Sequence, residues 1–236
     1  MRLGLPAELA LAIVEEAEYY PVVRGERRGA QRILRALQDC PQGGNCAAQL
    51  CVLTPVILGG TPRERCKIKR VTWTIESHDQ GWGGEVPGTY RSAFSWYEAT
   101  IVRPRSTAVK DGLADGTVRP EDIMHWKYCS PRDARGDLAV IGLSLVPVPD
   151  TDPESFVWLV KRNRVARSHF VRYRIEWSAG ENLDPAEAEG AGCGTGVGFI
   201  ESLRPGDRIG LWMCAQYNGW ANFVKAASVE VMYDVY

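Results

Sequence analysis

Val171-Arg172-Tyr173-Arg174-Ile175-Glu176-Trp177 decides the fold class, because large apolar and charged residues alternate along it without a break. Successive side chains of an extended strand point to opposite faces, so this segment carries one apolar and one charged face. The same period recurs outward from it. Val71, Trp73 and Ile75 alternate with Thr72, Thr74 and Glu76, while Ile209, Leu211 and Met213 alternate with Gly210, Trp212 and Cys214. Ser95 to Val102, Leu138 to Val148 and Phe156 to Val160 read as further strands, and a closing strand sets Val229, Val231, Tyr233 and Val235 on one face. Strands of this kind, separated by Gly, Pro and Asp loops, indicate a sandwich or barrel, and the fold expected is mainly β, an antiparallel sandwich of jelly-roll type with one polar face on each strand turned to water.

The N-terminal region reads differently. Leu5, Leu9, Ala12, Ile13 and Ala17 recur at helical spacing over residues 5 to 19, with Glu8, Glu15, Glu16 and Glu18 opposite them. Pro21 ends that helix, because proline disfavours helical geometry in the residue before it. A second, basic helix is expected from Arg27 to Gln38 on the stripe Ala30, Ile33, Leu34 and Leu37. The chain thus divides into a helical region, residues 1–60, and a sandwich, residues 61–236. Two stretches read as loops: Pro104 to Asp122, and Gly180 to Gly198 with its six glycines. The glycine tract lacks the lysine of a phosphate-binding loop and the βαβ context of a dinucleotide fingerprint.

Composition narrows the function classes. A chain of 236 residues, 45% hydrophobic, can bury a core without disulfides or metals. A net charge of −1 offers no basic field for a nucleic-acid backbone. No apolar run reaches the roughly 20 residues that span a bilayer, and no signal-peptide pattern opens the sequence, so an intracellular protein, cytoplasmic or nuclear, is expected. The seven cysteines are then expected to stay reduced. Cys40, Cys46, Cys51 and Cys66 are separated by five, four and fourteen residues, which matches no common zinc finger, so neither a metal site nor a cofactor is expected.

Leu5-Pro6-Ala7-Glu8-Leu9-Ala10-Leu11-Ala12-Ile13-Val14 resembles the opening helix of an F-box. That resemblance implies docking to a Skp1-type adaptor, and with it a role as substrate receptor of a ubiquitin ligase. Residues 218 to 231, Asn218-Gly219-Trp220-Ala221-Asn222-Phe223 and the strand after them, resemble the turn and closing strand of F-box-associated domains. These domains and the phloem lectins belong to the galactose-binding-like class of sandwich. Ser77-His78-Asp79-Gln80-Gly81-Trp82 is similar to a motif in proteins of filamentous fungi, for which it implies a fold alone.

Two segments echo each other. Trp73 to Trp82 and Trp212 to Trp220 each run from a strand tryptophan through a polar turn into Gly-Trp. Trp82 and Trp220 either plug the sheet or form an aromatic shelf beside Asp79, Gln80, Gln216 and Asn218, where sugar ring faces stack and amides bond hydroxyls. Those six residues are the candidate ligand site for a glycan or protein. A rival reading is a small hydrolase, lyase or isomerase using His78, Asp79 and Glu98 as acid and base. A hydrolase triad from Ser77-His78-Asp79 is disfavoured by adjacency, since triad members converge through space. A third reading is a self-assembling structural protein. The run Lys161 to Arg167, with four basic residues in seven, reads as a solvated loop.

Overall fold

A computed structural model of the chain describes residues 6–17, 20–41, 43–57, 66–116 and 119–235. It is an antiparallel β-sandwich with few, short helices. One sheet has the order β1 (Val22–Arg27), β11 (Ala221–Val235), β4 (Cys66–His78), β9 (Val171–Ser178), with β2 (Arg32–Arg35) also pairing β11. The other has the order β6 (Lys127–Tyr128), β3 (Cys46–Leu53), β10 (Arg208–Gln216), β5 (Ser95–Pro104), β7 (Leu143–Leu145), with β8 (Trp158–Arg162) also pairing β5.

The alternation that opened the reading sets the register. Val71, Trp73 and Ile75 of β4 lie opposite Trp177, Ile175 and Tyr173 of β9, and opposite Val231, Val229 and Ala227 of β11. Nine residues of three strands thus face the second sheet, while Thr72, Thr74 and Glu76 pair with Glu176, Arg174 and Arg172 on the outside. Ile209, Leu211 and Met213 of β10 meet them from across the core, all fully buried. Phe199, which opens the short helix α5 (Phe199–Ser202), inserts between the sheets. Its ring lies edge-on to Trp177, Trp158 and Trp73 at centroid distances of 4.9, 5.1 and 5.7 Å.

Several local expectations are corrected. The basic helix over 27–38 is absent: its residues form the end of β1, a turn at Gly29, and β2. The stripe Ala30, Ile33, Leu34 and Leu37 suits a helix in isolation, but Leu34 and Ala36 are the residues fully buried, which is strand period. Among the described residues before 61, the helical region reduces to α1 (Ala7–Glu16), and β1, β2 and β3 are strands of the two sheets. The expected loop at 104–122 contains helix α2 (Thr107–Asp115) and the start of a 3-10 helix, Pro120–His125. The first part of the expected strand 138–148 is the end of helix α3 (Arg135–Val140). These pieces carry Leu113, Ile123, Ala134 and Leu138 onto the outer face of β10, around Trp212, so that sheet turns no solvated face there. A strand covered on both faces reads as a nearly continuous apolar run, which is what Ile209 to Ala215 is.

The glycine tract is also built into the packing. Helix α4 (Pro185–Ala191) precedes Cys193, which bridges to Lys161 of β8. At Gly194 a Cβ would sit 2.2 Å from the Leu159 carbonyl oxygen, so the close approach to β8 admits glycine alone.

Candidate functional site

Strand pairing brings the two Gly-Trp turns together. β4 and β11 are antiparallel, with His78 opposite Phe223, so the turn that leaves β4 lies beside the turn that enters β11. β2 lines the other edge of β11 at the same end, with Arg35 opposite Ala221, and the Ala36 amide donates to the Trp220 carbonyl at 3.1 Å. Three turns therefore meet: 36–39, 79–82 and 217–220.

Between them lies a groove of about 290 Å³ lined by Arg35, Leu37, Gln38, Gln80, Trp82, Asn218, Gly219, Trp220, Ala221 and Phe223. Trp82 is 59% exposed and Leu37 43%, whereas Trp220 is 8% exposed and lies edge-on to Phe94 at 5.2 Å. The outer tryptophan rests on glycine backbone. A Cβ on Gly219, whose φ is +87°, would come within 2.6 Å of the Trp82 ring. Gln80 joins the turns, donating to the Trp82 carbonyl and accepting from the Ala221 amide at 3.4 Å.

Asp79 is the anchor below. Its Oδ1 accepts from the Gly81 and Arg167 amides at 2.8 and 2.9 Å, and its Oδ2 from the Ala166 amide at 2.7 Å. These bonds clasp the 79–82 turn to the 163–170 segment. Burial pushes the Asp79 carboxyl up from its ordinary value, against the pull of the three amides and of His78. The His78 ring stacks on Phe223 at 4.5 Å and meets Phe170 edge-on at 4.6 Å, and its Nδ1 is bonded to the Asp79 carbonyl.

Deeper still, a polar network ties the sheets. Ser77 Oγ donates to Asn163 Oδ1 at 2.7 Å, and Asn163 Nδ2 donates to Ser95 Oγ and Asn222 Oδ1, both at 3.0 Å. Tyr97 Oη donates to Asn222 Oδ1 at 2.9 Å, and Asn222 Nδ2 donates to the carbonyls of Trp96 and Cys214 at 2.9 and 3.2 Å. Ser77, Ser95, Tyr97, Asn163 and Asn222 are all fully buried. They hold the ends of β4, β5 and β11 beneath the groove.

Of the residues singled out from the sequence, Gln80, Trp82, Asn218 and Trp220 line the groove, and Asp79 supports it without lining it. Gln216 does not reach it; it ends β10, pairs with Cys46, and its amide donates to the Phe94 carbonyl at 2.8 Å. Arg35, Leu37, Gln38 and Phe223 were not foreseen. The helical reading of 27–38 hid the first three, and Phe223 read only as part of the closing strand.

The acid–base trio is not assembled. Glu98 lies on the other sheet, accepts from Trp96 Nε1 at 2.8 Å and from the Cys214 thiol, and shares no hydrogen bond with His78 or Asp79. Burial raises its carboxyl above the usual range. The folded chain then holds that proton more tightly than the unfolded chain. The carboxylate therefore costs stability above its native pKa, and the cost fades as pH falls through that value. Glu98→Gln, which keeps an acceptor for Trp96, is expected to melt higher than wild type at about pH 8, the two curves converging near pH 4. Thermal unfolding across that range checks it.

The basic run is likewise committed. Lys161, buried, donates to Tyr90 Oη at 3.0 Å and to the Ala191 carbonyl, between the Tyr90 and Tyr173 rings. Arg164 Nε donates to the same phenol at 3.2 Å, and these two cations lower the Tyr90 pKa against the effect of burial. Tyr90, Arg91, Arg162 and Arg164 line a broad, open cleft of about 910 Å³.

No helix among the described residues is long and apolar enough to cross a membrane. No protein-family model matches the chain, and no curated protein matches it.

Proposed function

We propose that the chain is a ligand-recognition module whose site is the groove between the three turns, and that its ligand is a saccharide. The observation that carries this reading is the exposed Trp82 ring, propped on Gly219 and facing a groove of monosaccharide scale. A pyranose presents a face of C–H groups that stacks on an indole, while its hydroxyls take amide donors and acceptors in turn. Gln38, Gln80 and Asn218 supply neutral amides around the ring, and Arg35 supplies a planar guanidinium donor. Gln80 is held by its bonds to both turns, and the strand ends beneath the groove are fixed by the buried network, so little backbone ordering is left for binding to supply.

The test is a glycan-array screen followed by titration of the best binder. Trp82→Ala is expected to weaken binding at least tenfold, about 1.4 kcal/mol, with little change in melting temperature because the side chain is mostly in water. Undiminished binding by Trp82→Ala, or no glycan bound by well-folded wild type, would overturn the saccharide reading.

A second reading concerns the N-terminus. Leu9 and Ile13, one helical turn apart on α1, are 55% and 56% exposed. An apolar pair open to water supports a docking role for this helix, in line with its F-box likeness, and with it a place as substrate receptor in a ubiquitin ligase. Leu9→Asp with Ile13→Asp is expected to abolish co-purification with a Skp1-type adaptor; retention of the adaptor by this variant removes the reading.

A further inference from the structure

Three cysteines that the sequence spacing keeps apart meet in space. The Sγ atoms of Cys40, Cys46 and Cys129 all lie within 4.8 Å of one another, with Cys40 and Cys129 at 3.0 Å. The Cys40–Cys129 separation is well beyond the roughly 2.05 Å of a disulfide. It is below the S···S edge of about 3.8 Å that Zn–S bonds of about 2.3 Å set in a tetrahedron, so a movement of under about 1 Å would fit all three to one ion.

The backbone around each thiol is fixed by its own contacts. Cys40 follows the turn after β2, and its carbonyl accepts from the Gly43 amide at 3.3 Å. Gly44 lies against it, where an added Cβ would come within 3.2 Å of the Cys40 sulfur. Cys46 is the first residue of β3, and Cys129 directly follows β6, which pairs with β3 through Ala48 and Tyr128. An ion pair between Lys127 and Asp39 at 2.5 Å ties the Cys40 turn to the Cys129 strand. After Cys129 the chain is held by a reciprocal Ser130–Asp133 capping box. Cys40 is buried, and Cys46 and Cys129 are half-buried, so the cluster opens to water on one side.

We infer that Cys40, Cys46 and Cys129 form a three-thiolate binding site for a thiophilic cation, Zn²⁺, with the fourth coordination position taken by water or another small donor. Binding one Zn²⁺ replaces the three thiol protons, which pass to solvent, and leaves a complex of net charge −1. Thiolate sulfur is the donor that selects such ions over oxygen-seeking ones. The site would clamp the 36–46 segment, and so the turn bearing Leu37 and Gln38, to β6.

The experiment is Co²⁺ titration of the full chain purified under reducing conditions, read by absorption, alongside metal analysis of protein grown with zinc. One Co²⁺ per chain is expected, with sulfur-to-cobalt charge-transfer bands and the intense d–d bands of tetrahedral cobalt, displaced by Zn²⁺. Cys46→Ser and Cys129→Ser are expected to weaken binding beyond the roughly 10–100-fold that loss of an outer-shell partner costs, while Cys66→Ser leaves it unchanged. Because the spectrum is read on wild type, misfolding of a variant does not blunt the test. A folded, reduced wild type that gives no charge-transfer band overturns the inference. So does a Cys40–Cys129 disulfide that persists in the native protein.

Discussion

Phe199→Ala is expected to lower the stability of the fold by about 4 kcal/mol, in the range measured for buried aromatic truncations. The ring is fully buried and lies edge-on to Trp73, Trp158 and Trp177. Its removal leaves a cavity walled by three indoles, which are too bulky and too firmly seated in their strands to collapse into it. Loss of three edge-on aromatic contacts, each about 0.5–1.5 kcal/mol, adds to the lost burial. In a domain of this size such a change lowers the melting temperature by about 8–16 °C. Urea unfolding is the check, with the midpoint lowered and the slope unchanged. Phe199→Leu, which refills part of the space, is expected to cost well under half as much. A loss below about 1 kcal/mol for the alanine variant would mean that the sheets do not pack through this ring.

Asn163→Ala comes next, at about 3 kcal/mol, and its cause is different. Very little apolar area is lost. Ser77 loses its acceptor, and Ser95 and Asn222 lose a donor, in a region with no exposure to water. Each stranded buried group costs about 1–3 kcal/mol, and Asn222 Oδ1 keeps its bond from Tyr97, which holds the sum below the maximum. Because the network carries the ends of β4 and β11, the variant is also expected to weaken ligand binding under conditions where it remains folded. Asn163→Asp separates shape from charge: it keeps the acceptor for Ser77 but introduces a buried carboxylate. It is expected to be as damaging as alanine at neutral pH and to recover as the pH falls and the carboxyl is protonated.

The strands most easily read from the sequence were those with one wet face. β4 and β9 alternate because their outer residues, Thr74, Glu76, Arg172 and Arg174, remain at the surface. β10 is covered on both sides, and its pattern says only that it is buried. The covering segment, 105–142, is legible neither as helix nor as strand, because its helical pieces are short and are stabilised by packing on Trp212. β2 was lost for a related reason. Four residues cannot distinguish period two from period 3.6, and the partner that settles the matter, residues 221–224, lies nearly 190 positions away.

The site follows the same logic. The echo of two Gly-Trp turns is visible locally, and antiparallel pairing of β4 with β11 makes it a spatial neighbourhood. Leu37 and Gln38 join only through β2. Cys129 joins Cys40 and Cys46 only through β6, so counting spacings along the chain never brings the three sulfurs together. His78 and Asp79 drew attention for their chemistry, yet each is consumed by structure: one stacked on Phe223 and edge-on to Phe170, one accepting three backbone amides.

The most direct measurement is a spectrum of the indole N–H groups of ¹⁵N-labelled protein, titrated with the saccharide that the array selects. Eight tryptophans give eight signals, assigned by single substitution. Saturable shifts confined to Trp82 and Trp220 are the result expected of recognition in the groove. Shifts at other indoles with Trp82 and Trp220 unmoved, or a bound saccharide that moves none of the eight, would contradict it.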